Sequence, residues 1–237
     1  YLWHRLLFRA ADELANLKLI SRPTQTLKLT NKREWMLLEK GFDKAMKLLD
    51  IPEYKKEFLP IKSYEVQKIV KKLTEKSPPS NYQPFDKNRK ISKVNRTYSL
   101  RKRGFRQAVM EAYDYKCAIC GLKLNSPNLS IWEVEAAHIV PHSVMGKDDL
   151  WNGISLCRFH HWAFDVGWFT ILSDYTVKLS NRYKDLPKDY GRVLNFDFLG
   201  DTVQDKKRII LPNRQASYPH QRSIRWHQQN VFNNERD

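Results

Sequence analysis

Cysteine is scarce: three residues in a chain of 237. They cannot build a disulfide framework, and their spacing, Cys117-x-x-Cys120 and then Cys157-x-x-His160, is that of metal ligands. Both points favour a reducing, cytoplasmic setting. Long apolar runs are absent too, which gives no indication of a membrane span. The opening residues, Tyr1-Leu2-Trp3-His4-Arg5, lack the small-residue cleavage pattern of a signal peptide. No internal repeat or low-complexity tract interrupts the chain. An apolar content of 41% is compatible with real cores, in one large domain or two modest ones.

Acidic residues are also short, 26 against 42 Lys and Arg, for a formal charge of +16. The imbalance is uneven. Residues 1–80 hold 17 basic and 10 acidic residues, residues 81–106 hold nine and one, and residues 107–237 hold 16 and 15. The excess lies almost wholly upstream of the cysteines. A solubilising surface or a polyanionic partner would each account for the bare count. The metal-ligand motif downstream favours a nucleic acid.

Periodicity predicts a mainly helical region over residues 1–80. One helix is expected over 3–20, broken at Ser21-Arg22-Pro23, and another over 32–50, ending before Pro52. Between them Thr26-Leu27-Lys28-Leu29-Thr30 alternates like a short strand. Helix, strand, helix in a basic setting is similar to part of a winged helix, with 21–30 as the wing; an ordinary small helical domain fits as well. A further helix is expected from Ser63 to Lys76. Residues 81–103 then read as a basic linker after Ser77-Pro78-Pro79. Arg89, Lys90, Lys93, Arg96, Arg101, Lys102, Arg103 and Arg106 are candidate phosphate contacts, with Tyr82, Phe85, Tyr98 and Phe105 interleaved. A flexible charged tether is the other reading. Residues 104–237 form the second region: a helix over 104–115, a strand at Trp132–Ala136, a helix over 158–166, a hairpin with arms 168–172 and 175–179, and a closing helix near Trp226.

Cys117, Cys120, Cys157 and His160 complete a tetrahedral zinc set with no open position, which marks the ion as structural. His161 is left over. Adjacent helical residues project about 100° apart, so His160 can face the zinc while His161 faces elsewhere. Asp165 lies four residues on, on the side of His161, where an imidazole and a carboxylate can share a divalent cation; a cap or an indirect partner is the alternative. Asp148-Asp149 reads as a solvated turn. His142, His220 and His227 read as surface or packing residues, and Trp162, Phe164, Trp168 and Phe169 as local core.

Cys117 and Cys120, then Glu135-Ala136-Ala137-His138-Ile139-Val140-Pro141, then Asn152-Gly153-Ile154-Ser155-Leu156-Cys157 and His160-His161-Trp162-Ala163-Phe164-Asp165, follow one another in an order that resembles the HNH endonuclease family over about residues 105–180. The resemblance implies an α+β chain whose C-terminal ββα-metal domain is stapled by zinc. It implies that His138 is the general base, that Asn152 braces the loop bearing it, and that His161, with Asp165, binds a catalytic divalent ion such as Mg2+ or Mn2+. Many members carry Asp or His immediately before the base; here Ala137 stands there. Glu135 shares the face of Ala137 and either substitutes for that ligand or partners a neighbouring base.

The expected activity is metal-dependent hydrolysis of DNA phosphodiester bonds by a prokaryotic restriction or defence enzyme. One site per chain would favour a homodimer for cutting both strands. The competing expectation is a zinc-containing module that binds nucleic acid without cutting it.

Overall fold

A computed structural model describes residues 2–52, 56, 59, 62–86, 96–127 and 131–233, with side chains from residue 3 and, in the helix opening at Arg96, from residue 100. The N-terminal part is helical: α1 (Leu2–Asn16), α2 (Pro23–Thr30), α3 (Glu39–Leu48) and α4 (Tyr64–Glu75). Ser63 caps α4 by accepting a hydrogen bond from the Val66 amide at 3.2 Å.

The strand expected at Thr26–Thr30 is the helix α2, which removes the proposed wing. Pro23 opens it with a preset φ, and Gln25 Oε1 reaches back to the Arg22 amide at 2.9 Å. Asn31, left-handed at φ 59°, closes it. Buried Thr26 bonds through its hydroxyl to the carbonyls of Arg22 and Glu34, so the alternating side chains serve a helix turn. The second expected helix shrinks from 32–50 to Glu39–Leu48.

Helix α5 (Arg96–Ala112) overturns part of the basic linker, because residues 96–103 lie inside it. Phe105, Ala108, Val109 and Met110 are buried, and a stripe at that spacing continues the helix back through Leu100. Val66 and Val70 of α4 share a core with this stripe, so the helical region and the downstream strands are one packed body there. Gly104 permits the contact, since a Cβ on it would lie 2.4 Å from Ile69.

Downstream, β1 (Val134–His138) and β2 (Gly153–Cys157) form an antiparallel pair with His138 opposite Gly153 and Glu135 opposite Leu156. Helix α6 (Arg158–Asp165) follows β2 directly, which completes a ββα unit. The hairpin β3 (Phe169–Ile171) and β4 (Val177–Leu179) shares its core with α7 (Phe198–Thr202) and α8 (Gln221–His227), while the small pair β5 (Arg192–Val193) and β6 (Phe196–Asp197) lies largely exposed before α7. Phe164 and Phe169 are almost fully buried between these pieces, each stabilising the fold by about 1.5–3 kcal/mol. Trp162 departs from the expected core: it is 52% exposed, on the outer side of α6.

Among the described residues no helix is long and apolar enough to cross a membrane.

Candidate active site and zinc cluster

Cys117, Cys120, Cys157 and His160 bring one donor atom each to within 4.8 Å of one another. The loop after α5 supplies the first two, the end of β2 the third and the first turn of α6 the fourth. His160 Nδ1 lies 3.0 Å from Cys157 Sγ and 3.5 Å from Cys117 Sγ. Its Nε2 meets Thr202 Oγ1 at 2.9 Å, and Thr202 donates in turn to the Phe198 carbonyl. That chain protonates Nε2 and leaves the Nδ1 lone pair facing the sulfurs, the tautomer a metal ligand needs. Three thiols and a neutral imidazole are the donors that zinc takes in a closed tetrahedral site, so the donor set fits zinc.

A second site lies on the other side of α6. A cleft of about 310 Å³ is lined by Lys102, Arg103, Phe105 and Arg106 from α5, Glu135, Ala136 and His138 from β1, and His161 from α6. His138 ends β1, where Gly153 pairs with it. A Cβ at Gly153 would fall 2.4 Å from Val109 and 3.0 Å from Phe105, so glycine allows α5 to press onto the strand pair. The Phe105 ring stacks on the His138 ring at 4.0 Å between centroids, 17° from parallel.

Asn152 is completely buried behind the site. Its Oδ1 accepts from the Val140 amide at 2.9 Å, and its Nδ2 donates to the carbonyls of Val140 and Lys147, each at 3.0 Å. Its own carbonyl accepts from Ile139 at 2.9 Å. One side chain thus ties both ends of the loop that follows His138.

His161 sits between two carboxylates. Its Nδ1 is 3.0 Å from Glu135 Oε2 and its Nε2 3.5 Å from Asp165 Oδ2. Burial would lower its pKa, but the Glu135 hydrogen bond and the charges of Asp165 and Glu135 outweigh burial and raise it. Glu135 is lowered chiefly by its bond to His161. Asp165 is raised by burial, against the pull of His161 and His138. Among the described residues these three do not bring single donor atoms together as the zinc cluster does.

The candidate phosphate contacts separate. Arg89, Lys90 and Lys93 lie outside the described residues, as does the side chain of Arg96. Arg101 is exposed, 4.0 Å from Asp86. Lys102 and Arg106 line the cleft. Arg103 is a correction: it is buried and ion-paired with Glu39 at 2.9 Å, because its position on α5 faces α3. Asp148 is another. Its side chain is only 5% exposed and its Oδ1 lies 3.1 Å from His138 Nε2, which is no solvated turn. Nothing in its spacing, ten residues beyond His138, announces that contact.

A strand pair running into a helix, with one imidazole at the strand end, another on the helix and a Cys3His knuckle beneath, defines a ββα-metal type of domain. The HNH endonuclease family matches residues 117–172, and that part of the chain is an HNH endonuclease domain. Among solved structures, a modification dependent TagI restriction endonuclease aligns over 54% of this chain at 21% identity and a TM-score of 0.36. The alignment spans 37% of that protein's own length. No curated protein matches the chain.

Proposed function

We propose that this chain hydrolyses phosphodiester bonds of DNA with His138 as general base. The observation that carries the reading is the single cleft holding His138 and His161 beside the cations of Lys102 and Arg106. The His138 imidazole takes a proton from water as the water oxygen attacks phosphorus and the bond to the 3′ oxygen breaks. Lys102, Arg106 and exposed Arg101 neutralise flanking phosphates, with Arg89, Lys90, Lys93 and Arg96 just upstream in sequence. Asn152 keeps the loop after His138 fixed, so the ring reorganises little during the reaction.

His161 and Asp165 would hold a divalent ion such as Mg2+ or Mn2+, on the Nε2 side of the imidazole where Asp165 Oδ2 lies 3.5 Å away. Glu135, 3.0 Å from the other ring nitrogen, would orient that imidazole. When bound, that ion would stabilise negative charge on the phosphoryl group and leaving oxygen.

A restriction or defence role in a prokaryotic cytoplasm, and a homodimer for double-strand cutting, belong to the same proposal. Their support is the resemblance to HNH restriction proteins with separate DNA-reading domains, the basic upstream region and the thiol-rich zinc set.

The test is divalent-dependent nicking of plasmid DNA by the full chain. His138→Ala is expected to lower cleavage at least about 100-fold. DNA affinity and zinc content stay close to the parent. Full activity in that variant would remove His138 from the mechanism.

A further inference from the structure

We propose that Asp148 is the positioning residue of His138, fixing the ring so that Nδ1 is the atom that takes the proton. The inference rests on the reading of His138 as the base and adds which nitrogen acts and what selects it. The side chain of Asp148 is 5% exposed and its Oδ1 lies 3.1 Å from His138 Nε2. An ionised carboxylate can only accept, so the contact places the ring proton on Nε2 and leaves the Nδ1 lone pair available. Phe105 stacks on one face of the same ring, which leaves the imidazole little freedom to rotate. Ring and carboxylate are clamped together.

The loop that carries Asp148 is held as firmly as the ring. Asn152 Nδ2 donates to the carbonyl of neighbouring Lys147 at 3.0 Å. The Lys147 amide donates to the Pro84 carbonyl at 2.8 Å, and the Asp86 amide to Met145 at 2.8 Å. Gly146 bonds back to the Pro141 carbonyl at 3.0 Å. A Cβ at Gly146 would lie 1.9 Å from the Val140 oxygen, so only glycine lets the loop close this tightly. Two ends of one loop, His138 before it and Asp148 within it, are thereby set at a fixed separation. Burying a carboxylate is costly without a partner, and an imidazole N–H is the partner this loop delivers. As imidazolium forms during the reaction, the charge of Asp148 stabilises it without taking the proton.

The experiment compares the parent chain with Asp148→Ala, Asp148→Asn and His138→Ala. Nitrogen NMR of the His138 ring, recorded on the zinc-loaded chain without added Mg2+ or Mn2+, reads the tautomer, and single-turnover cleavage of a DNA duplex reads the chemistry. The parent is expected to show the Nε2–H form. Asp148→Ala is expected to lose that preference and to cleave at least about 10-fold more slowly, with DNA affinity, zinc content and melting temperature unchanged. Should Asp148→Ala fail to fold, the near-isosteric Asp148→Asn is read by its rate alone, since its amide oxygen can still accept from Nε2 while the charge that stabilises imidazolium is gone, and it too is expected to cleave at least about 10-fold more slowly. An unchanged tautomer in Asp148→Ala, or a cleavage rate within about twofold of the parent in either Asp148 variant, overturns the positioning role. If His138→Ala still cleaves, the assignment of the base fails instead, whatever the Asp148 variants do.

Discussion

At the level of single residues the division of labour turns on two neighbours, His160 and His161. One turn of α6 aims the first at three sulfurs and the second at two carboxylates. Cys117→Ser tests the first half of that division. Serine is a poor zinc ligand at neutral pH, and the four residues come from two stretches of chain, 117–120 and 157–160, that a shared ion would pin together. The variant is expected to lose zinc and its cooperative thermal transition together, read by metal analysis and calorimetry. A normal melt with zinc retained would show that the cluster has another composition. The clustering of Cys117, Cys120, Cys157 and His160 was legible in the sequence because cysteine is so rare here that each one carries meaning. Glu135 was half legible: strand period placed it beside Ala137, but only the packing of α6 on β1 shows that it meets His161. Asp148 was illegible, since its role depends on a loop folding back through Asn152 and Gly146 rather than on any local pattern.

Among the secondary-structure elements, α5 joins the molecule's parts. It carries Phe105 onto His138, and from the edge of the same cleft the Arg103 guanidinium reaches into a buried network with Glu39 of α3. There Glu39 accepts from Arg103 Nη1 at 2.9 Å, lies 3.0 Å from Lys56 Nζ and accepts from the Ser63 hydroxyl. Burial pushes the Glu39 carboxyl up, but the bonds from Ser63 and Lys56 and the charge of Arg103 outweigh it, and the net shift is downward. Removing one partner of such a pair strands the other in a poor solvent for charge. Arg103→Met is therefore expected to cost about 3 kcal/mol in urea unfolding, and adding Glu39→Gln to recover part of it. Strict additivity of the two would show that the pair does not tie α5 to α3. The sequence read Arg103 as a phosphate contact because charge density alone does not say which way a helical residue faces. It read Thr26–Thr30 as a strand for a related reason: alternation over five residues also fits a short helix, and the cap at Asn31 decided between them. Elements with several independent signals, such as the β3–β4 hairpin and α4 with its Ser63 cap, were readable.

For the whole molecule, the closing of α8 onto the ββα unit makes stability depend on one buried histidine. His227 is 2% exposed and stacks on Phe164 at 3.6 Å, 6° from parallel. Its Nε2 donates to the Phe164 carbonyl at 2.9 Å, and its Nδ1 meets the Thr170 hydroxyl at 2.9 Å. The neutral ring is thus satisfied at both nitrogens while it joins α8, α6 and β3. Burial lowers its pKa from 6.5 to about 4, with the Phe164 carbonyl opposing only in part. Between those values the unfolded chain binds a proton that the folded one refuses, so stability rises with pH there. The contribution is complete above 6.5 and is lost as pH falls toward 4, by about 3 kcal/mol over the full range. His161 works in the opposite sense: its raised pKa gives stability that is full below 6.5 and fades as pH climbs through the folded value. The acid side is where His227 is expected to dominate. His227→Gln removes the titration, and its denaturation curves, taken at saturating zinc from pH 7.5 to 4.5, should fall less steeply than those of the parent. The two should run parallel above pH 6.5, because both chains are then uncharged at this position. Parallel curves over the whole range would mean that His227 is not the group through which acid loosens the fold.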